Sequence, residues 1–186
     1  MTDQLDLIYE RVLVVRCQAG DEGAFAELVE RYSPRLLYFL RKLLGPERGA
    51  GQADDVLQDV WLAVFRYLPR LADPQALRAW LYRIARDRAF GVLRKSHRLE
   101  QTLGELDVPD EVPEDNEFDA EDAAFIHAAL DRLPTEQREV LVLRFLESMS
   151  YDEIARVTGL ALGTVRSRLH YAKRALRNLL EKNNHE

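Results

Sequence analysis

Cysteine is nearly absent: Cys17 stands alone among 186 residues. That excludes an internal disulfide framework, and no Cys/His cluster has zinc-ligand spacing. The four histidines, at 97, 127, 170 and 185, are scattered, so no metal and no cofactor are expected. Long apolar runs are missing too. Val12–Val15 and Val140–Leu143 are cut short by Arg within a few positions, far from the roughly 18–20 residues that span a bilayer. The opening residues lack a basic stretch followed by an apolar one, so no export signal is expected. There is no Gly-rich phosphate loop, no nucleophile elbow and no recognisable pair of catalytic acids, and an enzyme finds no support. Cys17 reads as an incidental thiol. The expectation is a cytoplasmic protein without membrane insertion.

The net charge is −6, which argues at first against nucleic acid, but the average hides segregation. Residues 78–98 carry seven bases against Asp87, a local +6. Residues 99–122 carry eleven acids and no base, and residues 156–182 carry seven bases against Glu181. Two electropositive segments flank an acidic one whose charge suits it to lie near a DNA-binding face. Three solvated faces of unrelated purpose would give the same pattern.

Strand signals are absent, with no sustained alternation and no clustering of β-branched residues, so the fold class is all-α. Between Ala24 and Leu44 apolar residues recur at helical spacing, and Pro34 is expected to kink or divide the segment. Gly45-Pro46 and Gly49-Ala-Gly51 break it. A helix follows from about Ala53 to Tyr67, and another from about Gln75 to Lys95 with Leu77, Leu81, Ile84 and Val92 along one side. The acidic stretch, with Pro109, Pro113 and few large apolar groups, reads as a flexible linker. The domains expected are an N-terminal helical bundle (1–98), the linker (99–122) and a small C-terminal helical unit (123–186), in which Thr135 should cap a helix.

In the C-terminal unit Ser150-Tyr-Asp-Glu153 is a capping box, and Gly159 supplies a left-handed stop. After Gly159-Leu-Ala161 a helix begins at about Leu162, with Val165, Leu169, Ala172, Leu176 and Leu179 as its buried stripe. Arg166, Ser167, Arg168, His170, Tyr171, Lys173 and Arg174 lie off that stripe. This is a helix-turn-helix with a basic outer face suited to a major groove, although an αα-hairpin packed as ordinary structure would share the outline. Leu133-Pro-Thr-Glu-Gln-Arg-Glu-Val-Leu-Val-Leu-Arg-Phe145, Ser150-Tyr-Asp-Glu-Ile-Ala155 and Gly163-Thr-Val-Arg-Ser-Arg-Leu-His170 resemble region 4 of bacterial sigma factors of the extracytoplasmic-function (ECF) type. Ala161 departs from the family, which often has a serine or another capping residue there. Losing that acceptor costs the helix start about 1 kcal/mol.

In the helix from Ala53, residues Val56, Val60, Ala63 and Tyr67 share one face. Nearly opposite are Asp54, Gln58, Trp61 and Phe65, with Asp55 and Leu62 beside them. Large apolar groups among acids suit a docking surface, or equally a helix buried on two sides. Ala53-Asp-Asp-Val-Leu-Gln-Asp-Val-Trp-Leu62 resembles sigma region 2.2, Leu77-Arg-Ala-Trp-Leu-Tyr-Arg-Ile-Ala-Arg86 and Val92-Leu-Arg-Lys95 resemble regions 2.3 and 2.4, and Gly20–Tyr32 looks like the start of that domain. Asp87 stands where asparagine is common and Gly91 where aspartate is common. Glycine there loosens the helix by about 1 kcal/mol.

The resemblance implies a promoter-specificity subunit. Its partners would be core RNA polymerase (β′ clamp helices and β flap), promoter DNA and an anti-sigma factor. It places polymerase binding on Asp54, Asp55, Gln58, Asp59, Trp61, Leu62 and Phe65. It places −10 contacts on Arg78, Trp80, Arg83, Arg86, Arg94 and Lys95, with Tyr82 and Phe90 as further candidate base platforms. It places −35 contacts on Arg144, Thr164, Arg166, Ser167, Arg168, His170, Tyr171 and Arg174. A self-sufficient helix-turn-helix regulator is the competing reading, and it gives the acidic-apolar surface at 54–65 no task.

Overall fold

The structure, a computed structural model, describes residues 2–46, 49–97 and 123–183. Eight α-helices are found there: α1 (Thr2–Gln18), α2 (Glu22–Leu44), α3 (Gly49–Tyr67), α4 (Leu77–His97), α5 (Ala123–Asp131), α6 (Thr135–Leu141), α7 (Tyr151–Thr158) and α8 (Leu162–Asn183). Short 3₁₀ turns at Leu68–Arg70 and Pro74–Ala76 join α3 to α4, and a π-turn at Val142–Leu146 extends α6. No strand occurs among the described residues. The acidic stretch read as a linker lies outside them.

Asp21 begins α2, its Oδ1 accepting from the Ala24 amide at 2.9 Å, and Gly45 at φ +82° lets the chain leave it. Between these ends α2 runs unbroken through Pro34, so the segment is not divided there. The proline removes one ladder hydrogen bond, but Leu28, Tyr32, Leu36, Phe39, Leu40 and Leu43 form a fully buried stripe on both sides of it. Burial of that stripe outweighs the single lost bond. A second correction concerns Thr135, which is the first residue of α6 while Pro134 holds the cap position. The Pro134 carbonyl accepts from the Gln137 and Arg138 amides, and a helical start with φ fixed in advance replaces a side-chain cap.

Helix α4 lays Leu77, Leu81, Tyr82, Ala85 and Ala89 into the core, with Ile84 and Val92 only partly covered. The Tyr82 ring meets Phe39 of α2 edge-on at 5.1 Å. In the C-terminal unit Val140–Leu143, Met149, Ile154, Val157, Val165, Leu169, Ala172 and Leu176 are buried. One continuous apolar cluster holds these residues together with those of α1–α4. Helix α6 packs on α2, and α7 on α4.

Candidate polymerase and nucleic-acid interfaces

Helix α3 divides cleanly into two faces. Ala53, Val56, Val60, Ala63 and Val64 point into the bundle, whereas Asp55, Gln58, Asp59, Leu62 and Phe65 are exposed. Tyr67, expected on the inner face, is exposed instead, because the chain turns into the 3₁₀ segment there. Leu62 and Phe65 each present 67% of their surface. Trp61 is half-buried, edge-on to Phe25 of α2 at 6.1 Å, and Phe65 meets the same Phe25 ring at 5.3 Å. Asp54 lies 3.8 Å from Arg41. Two bare apolar side chains backed by an aromatic pair and bordered by acids form an anchor-and-rim surface of the kind that receives a partner helix.

On α4 the cations divide by height above the core. Arg83, Arg94 and Lys95 are exposed, while Arg78, Trp80 and Arg86 are partly covered. Tyr82 is fully buried, so in this arrangement its ring faces the core rather than a departing base, and burial pushes its hydroxyl above the ordinary phenol range. Phe90 is partly buried beneath the Arg86 guanidinium, 4.4 Å from ring to cation. Asp87 lies 3.9 Å from the same guanidinium.

In the C-terminal unit the capping box closes in both directions. The Ser150 amide donates to Glu153 Oε2 at 2.8 Å, and the Glu153 amide donates to Ser150 Oγ at 3.2 Å. Gly159 ends α7 at φ +73°, a left-handed conformation that a side chain would strain. The Thr158 hydroxyl donates to the Ile154 carbonyl at 2.7 Å. Helix α8 then buries Val165, Leu169, Ala172 and Leu176, with Leu179 half-covered. It presents Arg166 and Arg174 to solvent, and Thr164, Arg168, His170 and Tyr171 at its shoulders. Ser167 is buried, its hydroxyl donating to the Thr164 carbonyl at 3.1 Å. Arg144 donates to the Met149 carbonyl at 3.0 Å and stacks over Tyr151 at 5.2 Å, which joins the π-turn to the start of α7.

The composition of the helices gave no sign of a third set of residues. Glu139 of α6 is wholly buried and accepts from Arg86 Nε of α4 at 2.6 Å. Burial pushes its carboxyl up to about 7, against the opposing pull of Arg86. Glu147, also buried, meets Arg35 of α2 at 3.3 Å. Lys42 donates to Asp131 at 2.7 Å and to the His127 carbonyl at 3.0 Å, and Tyr38 bonds the His127 ring at 2.5 Å. The available signal was spacing: Glu139 stands three and four residues before Val142 and Leu143, on the face that helix buries.

The family description "Sigma-70 region 2" matches residues 28–99, and "Sigma-70, region 4" matches residues 126–176. The ECF RNA polymerase sigma factor SigD of Mycobacterium tuberculosis is 33% identical over 172 residues, covering 89% of this chain and 81% of that protein. The chain belongs to the ECF sigma factor family. SigE of Mycolicibacterium smegmatis is 33% identical over 175 residues, and this sigma factor spans 90% of its own length and 66% of that longer relative. The sigma factor RpoE of Bartonella quintana, solved in complex with the anti-sigma factor NepR, superimposes with a TM-score of 0.65 and is 26% identical, covering 84% of this chain and 96% of that one. Helices α2–α4 are thus region 2 and α5–α8 region 4. Among the described residues, no helix is long and apolar enough to cross a membrane.

Proposed function

We propose that this ECF sigma factor binds core RNA polymerase, recognises −35 and −10 promoter elements and promotes DNA opening for transcription initiation, with no catalytic step of its own. The observation that carries the reading is the pairing, in one chain, of a solvent-facing basic helix-turn-helix with the acidic-apolar face of α3. A DNA-binding module alone would have no use for Leu62 and Phe65 left bare among carboxylates. Docking of that face on the β′ clamp helices, with region 4 near the β flap, would place α8 at the −35 element and α4 at the −10 element. Arg166 and Arg174 have the exposure for base edges and phosphates. Arg83, Arg94 and Lys95 have it for the backbone of opening DNA. The work would be done in the cytoplasm, under the control of an anti-sigma factor, as the complex of the RpoE relative with NepR suggests by analogy.

The test is run-off transcription with core polymerase on fragmented genomic DNA, followed by mapping of start sites. Start sites that share −35 and −10 sequences only when the protein is added support the reading. Specific DNA binding without polymerase, and no transcripts with it, would favour a free-standing regulator.

A further inference from the structure

Helix α1 has no part in the proposed polymerase and DNA contacts, yet its outer side is apolar. Leu5, Ile8, Val12 and Val15 are half to two-thirds exposed, and steps of three, four and three residues place them on one stripe. The inner side is occupied: Leu13 and Val14 are buried, Asp6 and Glu10 each meet Arg31 of α2 at 3.4 Å, and Glu10 accepts from the Tyr32 hydroxyl at 2.8 Å. With those acids turned toward α2, the stripe is bordered by the exposed cations Arg11 and Arg16, the second of which also meets Asp21 at 2.8 Å. The stripe has a counterpart in the same chain. On α3, Asp55, Gln58, Leu62 and Phe65 follow the same three, four, three steps and are all exposed, beside Asp54 and Asp59. Laid antiparallel, Leu5 and Ile8 come level with Phe65 and Leu62, while Arg11 and Arg16 come level with Asp59 and Asp54. Apolar ends then meet apolar ends, and cations meet acids. A parallel arrangement would set Leu5 against Asp55, and two α1 stripes laid together would crowd Arg11 against Arg11 or Arg16.

We propose that the α1 stripe of one copy packs antiparallel on the α3 face of a second copy, and reciprocally, in a twofold dimer of the free protein. Both stripes are bare within one copy, so they meet only between copies. The Gln18 side chain donates to the Leu68 and Leu71 carbonyls at 3.2 and 2.8 Å, which ties the end of α1 to the end of α3 and presents both stripes from one frame. Six apolar side chains exposing on the order of 100 Å² each supply about 600 Å² per contact, half of the roughly 1,200 Å² that a specific complex needs. The reciprocal pair reaches that area, and it leaves no open stripe on which further copies would add. The dimer stands on the two stripes alone. Its consequence, that dimer and holoenzyme exclude each other, rests on the proposed docking of α3 on polymerase.

Sedimentation velocity of the full-length chain across a concentration series is the test. The dimer is expected to form at roughly 10–100 µM and to weaken with salt. Arg11→Glu and Asp59→Arg should each raise its dissociation constant about tenfold, and the two together should restore it. Both side chains are exposed, so folding is spared. Ile8→Ala with Val12→Ala, each half-exposed, should leave a folded monomer. A monomer at every concentration, or a dimer that Asp59→Arg leaves unchanged, overturns the pairing. Open-ended assembly overturns its twofold closure. Core polymerase added to dye-labelled dimer should release monomers as holoenzyme forms, and a dimer that binds polymerase whole overturns the exclusion. If Leu62→Ala with Phe65→Ala then leaves polymerase affinity unaltered, the polymerase reading of α3 fails as well, and if it lowers that affinity, the exclusion alone has failed.

Discussion

The Arg138 guanidinium of region 4 donates to the Lys42 carbonyl oxygen of region 2 at 2.6 Å, while its other nitrogen donates to the Leu133 carbonyl at 2.8 Å. Lys42 lies in the last turn of α2, where carbonyls have no partner within the helix. A cation there is favoured by the helix dipole as well as by the hydrogen bond, although burial lowers the guanidinium pKa from its ordinary value. Arg138→Met keeps the apolar stem and removes both bonds. The expected cost is about 2–3 kcal/mol, from two charge-assisted bonds lost to buried carbonyls. Urea unfolding measures it, and a loss too small to detect would mean that the carbonyls find other donors.

Stability should fall as pH rises toward neutrality. Glu139 titrates at about 7 when buried, against 4.5 as the ordinary value, so the folded chain holds its proton more tightly than the unfolded one. That contribution is complete below about pH 4.5 and is lost as pH rises through 7, at roughly 1.4 kcal/mol per unit in the steepest part. Arg86 of α4 and Arg168 of α8 pull the carboxyl down, and Glu136 of α6 pushes it up. Melting temperatures measured from pH 5 to 8 should decline toward a plateau, and Glu139→Gln should flatten the decline. A curve of the same slope in that variant assigns the effect to another group.

The α3 face can be probed with little risk to folding, since Leu62 and Phe65 are both two-thirds exposed. Leu62→Ala with Phe65→Ala should weaken binding to core polymerase at least tenfold, about 1.4 kcal/mol or more for truncated anchors. Asp55→Lys with Gln58→Lys should do so through charge. Titration of labelled protein with core polymerase decides between this and a face without a task, for which affinity would not change.

On α8 and its approach, Arg166 and Arg144 should part ways. Arg166 is exposed, and its alanine variant is expected to lose about 1–3 kcal/mol and to relax preference at one or two −35 positions. Arg144→Ala should weaken all sequences alike and lower the salt slope by about one, and it should also cost stability, because the guanidinium braces the Met149 carbonyl. Selection of holoenzyme on a randomised −35 library separates the two. A changed motif with Arg144→Ala and none with Arg166→Ala would reverse the roles.

What the sequence made legible was local. Ser150 and Glu153 cap each other, Gly159 turns left-handed, and 165, 169, 172 and 176 lie on one stripe, because each depends on neighbours within a turn or two. Helix α3 showed its two faces for the same reason. Pro34 misled because its local penalty is set against a stripe that gains its value only when α3 and α4 cover it. The Arg86–Glu139 pair was hidden for a deeper reason. Its members lie 53 residues apart, and a charge in a helix reads as solvated until the partner that neutralises it is in view.

The apolar cluster runs from Leu13 to Leu176 without a break between the two family regions. Two evolutionary modules therefore share one thermodynamic unit. Heated in a calorimeter, the free protein should absorb heat in a single peak whose van't Hoff and calorimetric enthalpies agree, where two independent domains would give a broadened or double one. Region 4 is insulated from fraying by region 2, and anything that parted them would turn one melting unit into two.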